Sequence, residues 1–100
     1  MRFVRSAKYL SDYKLLIGFD NGAARIVDLK RHLNGEIFRP LKNLAYFRRV
    51  RVDPDIETIV WDNDADFSPD FLFAIGTPAP RAAVRALRAP GCATYAKAKG

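Results

Sequence analysis

From Tyr13 to Phe19 the chain alternates so that Tyr13, Leu15, Ile17 and Phe19 fall on one side of an extended backbone. Asp20-Asn21-Gly22 interrupts this run, and a second strand-like run follows from Ala23 to Leu29. An Asn-Gly pair between two such runs supplies the positive φ angles of a tight turn, so the segment predicts a β-hairpin. Two registers are open. A two-residue Asn21-Gly22 loop sets Ile17 opposite Ile26, whereas a three-residue loop with Gly22 in a bulge sets Leu15 opposite Val27. We prefer the second because it pairs Tyr13 with Leu29. Phe3 to Lys8 reads as a preceding strand, with Ser11-Asp12 as the turn.

Beyond the hairpin the periodicity shortens. Asp28 to Leu33 fits one helical turn, capped by Asp28 and stopped at Asn34-Gly35. Pro40 to Phe47 fits another, with Leu41, Leu44 and Phe47 three apart on one side. Arg48 to Val52 buries Val50 and Val52 in alternation with Arg49 and Arg51, Asp53-Pro54-Asp55 forms a turn, and Glu57 to Trp61 is the return strand of a second hairpin. Ser68-Pro69 is a helix entrance, and the short helix it opens lays Leu72 or Phe73 on the core. Gly76 to Pro80 is a linker by composition, and Arg81 to Ala89 has helical spacing ended by Pro90-Gly91. A helix of about nine residues is unstable alone, because nucleation costs more than so few hydrogen bonds recover. The expected architecture is therefore α+β, a small antiparallel sheet of two hairpins with short covering helices in residues 1–75. A flexible, basic extension rich in Ala and Pro follows in residues 76–100.

One hundred residues suffice for one modest core. The net charge of +6 changes the picture because it is unevenly placed. Up to Phe73, 12 basic residues face 11 acidic ones, while Arg81, Arg85, Arg88, Lys97 and Lys99 meet no acid after Phe73. Five unopposed cations can engage phosphates, with log K falling against log salt at a slope of about −4 to −5 if all take part. Arg81, Arg85 and Arg88 fall at i, i+4 and i+7 and are the candidate nucleic-acid contacts, weak and indifferent to sequence. The longest apolar stretch, Phe71 to Gly76, is far below the roughly 20 residues that span a bilayer. No hydrophobic leader follows Met1-Arg2-Phe3-Val4-Arg5, and cytoplasmic residence is the simplest expectation. Cys92 is the only cysteine, which leaves no intramolecular disulfide and no cysteine-built zinc site.

Catalytic chemistry finds little support. Asp62, Asp64 and Asp66 alternate like the opening of a calcium loop, but Phe67 and Phe73 stand where that loop needs glycine and a bidentate glutamate. We read them as a turn, with Asp66 a candidate cap for backbone amides. His32 is the only histidine and reads as a surface side chain. Arg48, Arg49 and Arg51 beside Tyr46 and Phe47 suggest a nucleic-acid platform, but strand alternation splits them and Asp53, Asp55 and Glu57 offset their field. We expect no enzyme, no metal and no cofactor.

The succession Phe19-Asp20-Asn21-Gly22, Arg25, Val27-Asp28-Leu29, Gly35, Phe38, Pro40-Leu41, Phe47, Val50-Arg51-Val52-Asp53, Thr58-Ile59-Val60-Trp61, Asn63, Ala65-Asp66, Pro69-Asp70 and Leu72 resembles a bacterial family of small domains of unknown function, numbered 2442. The resemblance covers about Val4 to Phe73 and implies a small α+β domain on antiparallel strands. Some relatives carry a helix-turn-helix domain after this module. Others stand alone, encoded beside a second small protein, which has prompted toxin–antitoxin suggestions. Where relatives commonly have Trp-Pro-Asn-Gly-Ala-Asp this chain has Trp61-Asp62-Asn63-Asp64-Ala65-Asp66, and the usual final Tyr is Phe73. The residues after Phe73 match neither the common core nor a helix-turn-helix. Taken together, the expected function is a non-enzymatic interaction module that docks a small protein partner or a second copy of itself, as the antitoxin-like or accessory member of a two-protein system. The alternative is nucleic-acid association through the basic extension.

Overall fold

The first three strands form one continuous antiparallel meander: β1 (Val4–Ser11), β2 (Lys14–Phe19) and β3 (Ala24–Asp28). The computed structural model describes residues 2–80, Ala83, and the backbone of Ala93–Thr94. In the central hairpin Leu15 lies opposite Val27 and Ile17 opposite Arg25, the register of the three-residue loop. The Leu29 amide donates to the Tyr13 carbonyl at 2.9 Å, which closes the far end of the pairing as the Tyr13 and Leu29 match requires. Gly22, at φ +87°, occupies the left-handed position that lets the loop close in three residues.

Leu15, Ile17 and Phe19 point from β2 into the core with Ala7 and Val27, while Leu16, also fully buried, faces the reverse side. Over the core face lies the second hairpin, β4 (Arg51–Asp53) and β5 (Thr58–Val60), with Val52 opposite Ile59. Trp61 and Phe47 are fully buried between the layers. Side chains of this size each stabilise the fold by about 1.5–3 kcal/mol when removed from water. The helix α2 (Pro69–Ile75) closes the core with Leu72, which is fully buried. Its entrance is the expected one: Ser68 accepts from the Phe71 amide and Pro69 occupies the first turn.

Two local readings are corrected. The segment before Phe47 is a 3-10 turn over Glu36–Lys42 followed by a single α-turn, α1 (Leu44–Phe47), and not one helix from Pro40. Asn43 stands between them with an extended backbone, its side chain accepting from the Ala45 amide. That break shifts the phase. Leu41 and Phe47 are buried, but Leu44 is turned outward and 39% exposed. The second correction concerns Gly76 to Pro80, where a linker was expected and a strand is found. Thr77–Pro78 forms β6, paired with Ile26 and Arg25 at the edge of the sheet. Ala93–Thr94 forms β7 at the opposite edge, beside Ser6 and Ala7, so the strand order is β6-β3-β2-β1-β7. Gly76 is needed at the junction, since a Cβ there would sit 2.8 Å from the Arg25 Cβ and 3.1 Å from the Val27 Cγ2.

Another 3-10 turn, Lys30–His32, leads away from β3; its N-cap is Leu29 and not the expected Asp28, whose carboxylate one residue earlier accepts from the Lys30 amide.

Candidate interaction surface

Four rings from separate parts of the chain meet at one side of the molecule. Phe67 lies nearly parallel to Phe38, with centroids 4.7 Å apart, and nearly parallel to Phe71 at 5.8 Å. His32 meets Phe71 edge-on at 5.1 Å. Phe67 is buried, Phe38 and His32 are half-buried, and Phe71 reaches the surface at 36% exposure. Ile37, next to Phe38, is 47% exposed.

Backbone anchors hold this arrangement. The Thr58 hydroxyl, itself buried, donates to the Phe67 carbonyl at 2.6 Å. Asn63 donates through Nδ2 to the Ile37 carbonyl at 2.8 Å, tying the Glu36–Lys42 turn to the loop after β5. The Ser68 cap fixes the first turn of α2 and with it Phe71. Inward, the aromatic packing continues from Phe67 to Trp61 and from Trp61 to Phe47. The outer ring therefore rests on a continuous series of aromatic contacts that reaches the core.

The His32 end of this strip is basic. Lys30, Arg31 and His32 line one depression with Asp28, and Lys30 lines a second with Lys42, Tyr13 and Leu33. The Tyr13 hydroxyl also donates to the Lys42 carbonyl. Among the described residues the ion pairs are Arg5 with Glu57, Arg39 with Glu36, and Arg49 and Arg51 with Asp62. Lys30, Arg31 and Lys42 take part in none of them.

The residues singled out from sequence are placed differently. Arg81, Arg85 and Arg88 lie outside the described residues, as does Cys92. Arg49 and Arg51 are both occupied by Asp62, at 2.7 and 2.9 Å, and Arg48 lies over the Tyr9 ring. The acid in direct contact with Arg49 and Arg51 is Asp62. Glu57 instead pairs with Arg5, and Asp53 accepts from the Asp55 amide. Asp62, Asp64 and Asp66 are not gathered on a common point: Asp62 holds two arginines, and Asp64 sits in a left-handed turn at φ +68°. The amide cap in that turn comes from Asn63, which accepts from Ala65, and not from Asp66. No group of three metal-ligating side chains occurs among the described residues.

Phe38, Phe67, Phe71, Lys30, Arg31 and Lys42 drew no attention as a site in the sequence. Spacing along one element could not join positions 32, 38, 67 and 71.

A family model described as a protein of unknown function, DUF2442, matches residues 4–85. The chain belongs to this family. The match continues past Phe73, the last residue of the resemblance described above, so β6 and the positions of Arg81 and Arg85 fall within the DUF2442 span and Arg88 falls beyond it. No characterised protein and no solved structure matches the chain. Among the described residues, no helix is long and apolar enough to cross a membrane.

Proposed function

We propose that this DUF2442 chain is a non-catalytic interaction module whose partner is a small protein, in the manner of the antitoxin-like or accessory member of a two-protein system working in the cytoplasm. The reading is carried by the aromatic strip that surfaces at Phe71 beside Ile37. Energetically dominant residues of protein interfaces are aromatic anchors set on well-packed supports and ringed by polar groups, and Phe71 has that setting. Homodimerisation would use the same kind of surface. Association with nucleic acid through Arg81, Arg85 and Arg88 is the competing reading, supported by the acid-free charge of the last quarter of the chain.

The test is capture of the tagged full chain from its own cell at physiological salt, comparing the wild type with Phe71→Ser and with Ile37→Glu. A polypeptide held in stoichiometric amount by the wild type and lost from both variants, while their circular dichroism stays native, supports the module. Nuclease-sensitive material alone, or a polypeptide retained equally by all three proteins, overturns it.

A further inference from the structure

We infer that the partner segment seated at Phe71 is acidic: a stretch of aspartate and glutamate flanking one large apolar side chain. This inference rests on the module reading above and adds the chemistry of the occupant. Its support is charge complementarity at one end of the strip. His32 links the two features, since its ring touches Phe71 and it shares a depression with Lys30, Arg31 and Asp28. Lys30 in turn shares the neighbouring depression with Lys42.

The balance of charge there is positive. Lys30, Arg31 and Lys42 are exposed and take part in no ion pair among the described residues. Asp28 is the one acid that lines the same depression, its carboxylate accepting from the Lys30 amide at 3.0 Å, and its single charge leaves the three cations in excess. Elsewhere on the body Arg39 is paired with Glu36 and Arg49 and Arg51 with Asp62, while Arg48 lies over the Tyr9 ring. Three uncompensated cations thus gather beside the exposed ring of Phe71. An acidic segment would be steered to this patch and set in register by it, while its apolar residue covers the exposed part of Phe71.

A protein segment fits better than a nucleic acid. Base stacking needs an open ring face, and Phe71 already has Phe67 nearly parallel to it and His32 against it edge-on. The exposed 36% of Phe71 suits contact with an aliphatic or aromatic side chain.

The experiment uses the full chain and three labelled probes in fluorescence anisotropy at 150 mM salt: a Glu/Leu amphipathic peptide carrying one Phe, the same peptide with every Glu replaced by Gln, and a mixed-sequence DNA duplex. The acidic peptide is expected to bind at least about tenfold more tightly than its Gln counterpart, and the double variant K30E/R31E to abolish that preference, tenfold being about 1.4 kcal/mol. Phe71→Ser should weaken both peptides alike. Equal affinity for the two peptides, no binding of either, or unchanged preference in K30E/R31E overturns the inference. So does duplex DNA that binds more tightly than the acidic peptide and is lost in K30E/R31E. If the peptides fail while the native partner is still lost from Phe71→Ser, the module stands and only the acidic chemistry falls.

Discussion

The indole N–H of Trp61 donates to the backbone carbonyl of Phe47 at 2.8 Å, and both residues are fully buried. That bond satisfies a carbonyl at the end of α1 and locks the second hairpin against the segment that precedes it. Trp61→Phe removes the donor and leaves the Phe47 carbonyl buried without it. A cost of about 1–3 kcal/mol follows from the orphaned group, with more from the smaller ring. Urea unfolding followed by far-UV circular dichroism measures it, since Trp61 is the only tryptophan. A loss below about 0.5 kcal/mol would contradict this role for the indole.

Phe73 meets two guanidinium groups over its ring, with Arg2 at 3.8 Å and Arg25 at 3.9 Å from the ring centroid. Arg25 also donates to the Gly76 carbonyl at 2.9 Å, so it joins β3 to the end of α2. Arg25→Met keeps the packing and loses both polar interactions, for an expected cost of about 1–3 kcal/mol. Arg25→Lys should fall between, since it retains a charge but not the planar fork that stacks and donates at once. Equal stability of the wild type and the Met variant in denaturant titration rules the arrangement out as a source of stability.

Much of the scaffold was legible because its determinants are local. Asn21-Gly22 and the Tyr13 and Leu29 match specify the hairpin register, Asp53-Pro54-Asp55 the second turn, and Ser68-Pro69 the start of α2. The outward turn of Leu44 was not legible, since it depends on Asn43 adopting an extended backbone between two short helical turns. Two-residue edge strands such as Thr77–Pro78 are too short to show any period, and composition alone made them a linker. The candidate surface was hidden for a different reason. Phe38, Phe67 and Phe71 come from separate segments, and the Thr58 and Asn63 side chains that bond the backbone carbonyls of Phe67 and Ile37 leave no spacing rule in a sequence.

Asp64 adopts φ +68° in the turn where its amide donates to the Trp61 carbonyl at 2.9 Å. The left-handed conformation strains an L-residue and is free for glycine, although glycine also loses more entropy on folding. Asp64→Gly is expected to stabilise the protein by about 0.5–1 kcal/mol, read as a higher urea midpoint at unchanged slope. Glu57, at φ +56°, provides the contrast because its carboxylate pairs with Arg5 at 3.0 Å. Glu57→Gly relieves the same strain but removes that pair, so its gain should be smaller than that of Asp64→Gly. Destabilisation by Asp64→Gly would show that the aspartate side chain has a role the turn geometry does not reveal.

Asp62 receives Arg49 on one carboxylate oxygen and Arg51 on the other. All three side chains are substantially exposed, so the pairs contribute less than about 1 kcal/mol to stability. Their larger effect is on the field outside the protein. Asp62→Asn keeps the shape of the turn and frees both arginines next to Arg48, turning a neutralised surface into a basic one. The variant should elute from heparin at higher salt than the wild type. Its affinity for duplex DNA should also fall more steeply with salt, by about 0.9 in the logarithmic slope for each new phosphate contact. Because residues 81–100 are identical in the two proteins, any difference between them belongs to the body of the fold. Identical elution of the two proteins would mean that Asp62 does not govern the availability of Arg49 and Arg51.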